Sequence, residues 1–214
     1  MNVSEKQVLH FLGYKGAKAD EGVSALIQDL TDELTACVTP KSVCGIWDCQ
    51  VEPPVVSLMG MRIHSQGLSA HLEGCRRAAV FAATLGTGAD LLIRKYSVSD
   101  IGKAVVAGAV CAAMIEEYCD RMEAEIAREE EVCGQYRTAR FSPGYGDFEL
   151  SHQKDILRLL NCGKRIGLTL TDGMMLIPSK SVVAVIGFRQ EKTDSKGKCE
   201  NCTHVDCALR EATQ

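Results

Sequence analysis

The sequence is poor in aromatics, at 5%, with a single tryptophan, and it lacks an excess of positive charge. Its 24 Lys and Arg are outnumbered by 28 Asp and Glu, for a formal charge of −4. A basic footprint and a supply of stacking rings are what nucleic-acid binding needs, so that class is set aside. Long apolar runs are also missing. The longest, AVVAGAVCAAMI from Ala104 to Ile115, is 12 residues, short of the roughly 20 that cross a bilayer. The amino terminus, MNVSEKQVLHFLGYKG, has no basic stretch followed by an apolar one, so no secretory signal is read there. No membrane partner is expected, and the expected location is cytoplasmic.

What is present is a globular composition. Apolar residues make up 46% and charged residues 24% of 214, enough chain to bury a full core without cross-links. Cysteine is abundant, at 11. The number is odd, and in a reducing compartment such residues read as thiols or metal ligands rather than as a disulfide framework.

Hydrophobic spacing places the elements. A short amphipathic piece spans residues 5 to 12. Val23, Leu26, Ile27, Leu30, Leu34 and Val38 recur every three or four positions, one face of a helix from Gly22 to Cys37. Ser42 to Val51 and Val55 to Met61 are strand-like, and Ile63 to Ser65 extends that stretch. Ser69 is a candidate cap for a helix with Leu72 and Cys75 inward. Ala78 to Gly86 is apolar without alternation; its length and the Gly86-Thr87-Gly88 punctuation favour a buried strand. Ala89 to Tyr96 reads as helix.

Asp100 is a good N-cap for a helix from Ile101 to about Cys133, on the order of 50 Å long. Its first half is small and apolar; its second half is charged. Ser151 is read as the cap of a helix over His152 to Asn161, ended by Gly163. Lys164 to Thr171 alternates like a half-buried strand. Met174 to Phe188 reads as a hairpin-like pair around Pro178-Ser179-Lys180. Helices and strands are mixed rather than strictly alternating, which points to α+β with an antiparallel or mixed sheet.

Two constellations carry chemistry. The first is Arg140-Phe141-Ser142-Pro143-Gly144-Tyr145-Gly146. A guanidinium forks onto a carboxylate, the glycines let backbone lie against a ligand, and Tyr145 offers a flat face and a hydroxyl. The loop suits an amino-acid-like or nucleoside-like ligand; equally, Pro-Gly-Tyr-Gly is a common turn. The second is Cys199-x-x-Cys202-x-x-x-x-Cys207, with His204 inside it. Thiolates two residues apart aim at one metal or one cluster edge. Zinc would use the three thiolates with His204 or a distant cysteine. An iron–sulfur cluster would need a fourth ligand, with Cys162, Cys75 and Cys133 the candidates. The alternative is unligated thiols on a tail; metal or cluster binding is the favoured reading, with iron–sulfur ahead of zinc. Cys44, Cys49, Cys111 and Cys119 are read as core fillers.

The Arg-x-x-x-Gly-Tyr-Gly segment, followed by a helix and then by IGLTLTDGMMLIPSKSV, resembles the activation domain of cobalamin-dependent methionine synthase. Gly167, Leu170, Thr171, Asp172, Met175, Pro178, Ser181 and Val182 fit the family's second motif in order. The match spans about residues 100 to 188. The first hundred residues look more loosely like stand-alone relatives. The resemblance implies an α+β fold with a twisted, mostly antiparallel sheet and long helices. It implies a domain over residues 1–190, with an N-terminal part (1–99) and a ligand-binding part (100–190), before a Lys-rich linker and cysteine tail (191–214).

In that family the domain binds S-adenosylmethionine and presents its methyl group to a cobalamin that has oxidised to cob(II)alamin. By this similarity Arg140 would hold the ligand's carboxylate, and Gly144, Tyr145 and Gly146 would line it. Glu116, in EEYCDR, falls where the family places an acidic residue at the ligand; the plain alternative is an exposed face of an acidic helix. A tyrosine-containing segment that helps enclose the ligand in the family has no counterpart here. No Asp-x-His-x-x-Gly segment of the kind that offers histidine to cobalt is present. Cobalamin is therefore expected on a partner, a corrinoid protein or methionine synthase, with a separate electron donor. Two other functions fit the residues: an iron–sulfur or zinc electron-transfer protein on the same fold, or an S-adenosylmethionine sensor.

Overall fold

The computed structural model describes residues 3–14, 18–131 and 135–191, and for 129–131 the backbone alone. Two helices come first, α1 (Glu5–Phe11) and α2 (Glu21–Cys37). The Asp20 carboxylate caps α2 by accepting from the Val23 amide. Then follow β1 (Lys41–Glu52), β2 (Val55–Leu58), β3 (Met61–His64), the short helix α3 (Gln66–His71) and β4 (Arg77–Thr84). Helices α4 (Thr87–Ser99) and α5 (Ile101–Glu131) lead to β5 (Tyr136–Arg137), α6 (His152–Leu159) and α7 (Cys162–Ile166). The strands β6 (Thr169–Leu170), β7 (Leu176–Ile177) and β8 (Ser181–Arg189) complete the described chain.

The main sheet has six strands in the order β3-β2-β1-β4-β8-β5. Every pairing in it is antiparallel. The fold is thus α+β with a predominantly antiparallel sheet and long helices, as expected. The Ala-rich run of β4 lies at the centre, between β1 and β8. Ala79, Phe81 and Ala83 face a core built with α1, α2, α4 and α5. Ala78, Val80 and Ala82 face a second core built with β2, β3, α6 and α7. Both faces are buried, so the strand has no polar side to produce alternation. Gly88 sits in the first turn of α4, where a Cβ would lie 2.0 Å from the Cys37 carbonyl oxygen. Only a glycine lets the two helix ends meet there.

Five local expectations are corrected. Ser65, not Ser69, caps α3: its oxygen accepts from the Leu68 amide at 2.9 Å. The Asp147 carboxylate accepts from the Gln66 and Gly67 amides, so the helix starts a turn earlier than its apolar pattern suggests. Ser151 is already helical in backbone and makes no capping bond. Gly163 lies inside α7, while Asn161 and Gly167 take the left-handed conformation on either side of it. Lys164 to Thr171 is therefore not one strand. Ile166 and Leu168 are buried as the alternation implies, but they reach the core from a helical turn and from the residue after it. Finally, β7 and β8 do not form a hairpin: β7 pairs with β6, and β8 pairs with β4 and β5. The Asp90 carboxylate accepts from the Ser179 amide at 2.8 Å and redirects the chain between them.

Candidate functional site

Glu116, Asp120 and Glu123 stand four and three residues apart on α5, which places them on one helix face. The segment opposite them is strapped to β8. The Thr138 amide donates to the Gly187 carbonyl at 2.8 Å, and Phe141 and Val185 exchange both backbone bonds at 2.9 Å. The His71 ring bonds the Ala139 carbonyl at 2.8 Å, and burial lowers its pKa. Between these anchors Arg140 projects at α5.

The Arg140 guanidinium is buried, at 8% exposure. Its Nη2 lies 2.7 Å from Glu116 and 3.0 Å from Asp120, and its Nη1 lies 2.6 Å from Glu123. The Nη1 contact is an ion pair without hydrogen-bond alignment. Arg137 adds a longer pair to Glu123 at 3.6 Å. Burial works against the Arg140 charge, but the carboxylates of Glu123, Glu116 and Asp120 outweigh it and raise its pKa further. The site thus holds a fixed cation. Counting Arg140 and Arg137 against Glu116, Asp120 and Glu123 leaves one negative charge in excess.

The turn after Arg140 is held by its own backbone. The Gly144 amide donates to Phe148 at 2.7 Å, and the Tyr145 amide to Ser142 at 3.0 Å. Gly144 has φ 96 and Gly146 φ 54, conformations that suit glycine. Phe148 is fully buried beneath the turn. Tyr145 is half exposed and meets Phe141 edge-on at 5.8 Å.

A cavity of about 160 Å³ opens here, lined by Glu116 from α5, Arg140, Ser142 and Tyr145 from the loop, Gln153 from α6, and Leu176, Ser181, Val182 and Val183 around β7 and β8. Arg140 and Tyr145, singled out as one motif, and Glu116, singled out through the family resemblance, therefore share one cavity. Gly144 and Gly146 belong to the same turn but do not line it. Asp120, Glu123 and Gln153 were not anticipated. The four- and three-residue carboxylate spacing on α5 was a readable signal; Gln153 had none. A larger hollow of about 440 Å³ near Arg76, Gln135 and Glu191 contains none of the sequence candidates and is bordered mostly by exposed side chains.

Cys199, Cys202, Cys207 and Cys133 lie outside the described residues. Cys75 and Cys162 are buried in the second core. Burial pushes the Cys162 thiol up to about 11 and also raises that of Cys75. Cys49, Cys111 and Cys119 are buried core residues as expected, and Cys44 is partly buried against the core. Among the described residues no group of His, Cys, Asp or Glu is arranged to hold a metal ion. No helix among them is long and apolar enough to cross a membrane.

No curated protein matches the chain. One similar solved structure is described as "Crystal Structure of the MetH Reactivation Domain bound to AdoHcy". It covers 86% of this chain and 73% of that one, with 16% sequence identity and a TM-score of 0.58. At that identity the likeness speaks for the fold. Residues 70–196, more than half of the sequence, match the family model "Vitamin B12 dependent methionine synthase, activation domain". The chain belongs to the vitamin B12-dependent methionine synthase activation-domain family.

Proposed function

We propose that the chain binds S-adenosylmethionine in the cavity beside Arg140 and supports reductive methylation of cob(II)alamin carried by a separate methionine synthase or other corrinoid protein. The observation that carries this reading is the convergence of Arg140, Glu116 and Tyr145 on one hollow. The solved relative described as bound to AdoHcy, a molecule of the same nucleoside–amino-acid class, supports it.

The residues suit such a ligand. S-adenosylmethionine carries an ammonium, a sulfonium and a carboxylate, one net positive charge. The cluster of Glu116, Asp120 and Glu123 with Arg140 and Arg137 carries one net negative charge, so the two are complementary. Glu116 and Asp120 are the more exposed partners of Arg140, with side chains 31% and 64% accessible. They exchange most readily. The ligand's carboxylate would take one of their places on the guanidinium, while the freed carboxylate takes the ammonium. The neighbouring Gly144–Gly146 turn would bring backbone and the Tyr145 ring alongside.

Ordinary small-molecule sites run roughly 300–1,000 Å³, and this cavity is about 160 Å³. Part of the ligand would thus remain at the surface, where a docked corrinoid protein reaches it. One electron and the ligand's methyl group would return the partner's oxidised cobalt to its methylated form. The contribution of this chain is positioning: holding the sulfonium at a fixed place against the partner. Residues 1–190 form the functional unit in this reading, and 191–214 a tail.

Calorimetric titration with S-adenosylmethionine tests the proposal. The chain should bind, and Arg140→Ala, verified as folded, should weaken binding tenfold or more, about 1.4 kcal/mol. Unchanged affinity would remove Arg140 from the site. Absorbance of cob(II)alamin on a methionine synthase, followed with ligand and reductant, separates reactivation from sensing: a sensor leaves the signal unchanged.

The cysteine tail carries a second reading, on the spacing of Cys199, Cys202 and Cys207: iron–sulfur or zinc binding, with a cluster able to supply the electron. Anaerobically purified protein should then contain iron with acid-labile sulfide, or zinc. Absence of all three ends this reading and leaves the ligand proposal untouched.

A further inference from the structure

We propose that Gln153 is a specificity-determining residue of the Arg140 cavity, its side-chain amide pairing with the adenine edge of the ligand. This rests on the reading that the cavity takes S-adenosylmethionine.

Gln153 sits on the inner face of α6. Gln153, Ile156, Leu157 and Leu160 fall at intervals of three, one and three residues, and all four are buried. An apolar residue would complete that stripe. Instead the position holds a carboxamide, 8% exposed, whose Oε1 has no hydrogen-bond partner among the described residues. The residue also lines the cavity. An unpaired buried polar atom destabilises the fold, because its lost hydration is not replaced. A group kept at that cost, at the edge of a hollow, fits a partner that arrives with the ligand.

The chemistry selects which part of the ligand. Arg140, Glu116 and Asp120 already supply the charged contacts for the amino-acid end. Gln153 is neutral and presents one acceptor beside a donor pair. Adenine presents an amino donor beside a ring-nitrogen acceptor, the pattern that a primary amide pairs with at both atoms. Rotation of the amide by half a turn exchanges its oxygen and nitrogen without changing this match. Val182, Val183 and Leu176 give the same cavity apolar walls suited to the faces of a flat base, and Tyr145 adds a ring.

The test uses the full chain, wild type and Gln153→Met, with two probes: S-adenosylmethionine and its analogue bearing hydrogen in place of the adenine 6-amino group. Wild type should prefer the amino-bearing probe tenfold or more. Gln153→Met should lose that preference, to below threefold, and bind S-adenosylmethionine at least tenfold more weakly. Its ligand-free melting temperature should equal or exceed that of wild type, because an unpaired buried polar group has been removed. Equal losses for both probes, or wild-type affinity, would overturn the adenine assignment. A melting temperature well below wild type would show a structural role instead. Should wild type bind neither probe, the ligand reading of the cavity fails on its own, visibly before the variant is consulted.

Discussion

Arg140 shows how a single side chain couples stability to recognition. It is the cation for three carboxylates, one of which, Glu123, is itself nearly buried. Removing it strands that charge. Arg140→Met should therefore cost about 3 kcal/mol in denaturant unfolding, within the range for a broken buried pair but limited by the exposure of Glu116 and Asp120. Adding Glu123→Leu should recover part of the loss. The sequence made Arg140 visible through its motif, because a motif preserves order. Glu116 was visible through the family resemblance, but Asp120 and Glu123 come from a helix some twenty residues earlier, and no local pattern ties them to Arg140.

The buried thiols make a second residue-level prediction. Burial pushes Cys111 and Cys119 up to about 12, and Cys49 and Cys162 up to about 11, from an ordinary value of 9.0. Their folded-state pKa values are raised, so their contribution is complete below pH 9. It is lost as pH rises from 9 towards 12, because only the unfolded chain ionises them easily. Melting temperature followed against pH should fall across that window. Thiol reagents should reach these four cysteines only on unfolding.

At the scale of elements, hydrophobic period located most helices and strands, the Asp100 cap marked one start, and tertiary context decided the exceptions. The 101–131 helix was legible because Asp100 caps it, accepting from the Lys103 amide at 3.0 Å, and no proline interrupts it. The stretch around Ile166 was not, because alternating burial arose from a helical turn ended by Gly167 rather than from a strand. Likewise, Pro178-Ser179-Lys180 looks like a hairpin turn in isolation. In the fold β8 pairs along the whole of β4, and β7 pairs with β6 instead.

Close packing against the 72–75 segment makes β8 intolerant of added bulk. A Cβ at Gly187 would lie 2.6 Å from the Cys75 sulfur and from a Leu72 methyl. Gly187→Ala should destabilise the protein by about 1–3 kcal/mol, the usual range for overpacking. Because Gly187 also bonds Thr138, the substitution should weaken S-adenosylmethionine binding as well, through the strap that carries Arg140. Equilibrium unfolding and calorimetry on the same preparation would check both.

On the scale of the whole molecule, the fold class was readable because two ordered motifs and a mixed run of elements agreed. The division into a first and a second half is less informative than the sheet itself. Strands β1 to β4 come from the first half, and β8, from the second, pairs directly with β4. A chain cut at residue 190 should therefore keep its melting transition and its ligand affinity, whereas a cut near residue 99 should abolish both. Circular dichroism and titration of the two truncations would show this. Metal content, if the tail binds metal, should disappear with the first cut.

The strap beneath Arg140 sets a timetable. Phe141 and Val185 hold each other through paired backbone bonds in the interior, so in heavy water their amides should trade protons as slowly as those of the central strands. The turn over residues 142–147 is tied as well, through the Gly144 amide on the Phe148 carbonyl and through Asp147 on the Gln66 and Gly67 amides, so its bonded amides should lag behind those of open loops. An arriving molecule would then meet a cation and a turn that are already in place, with the half-exposed Tyr145 ring left to settle.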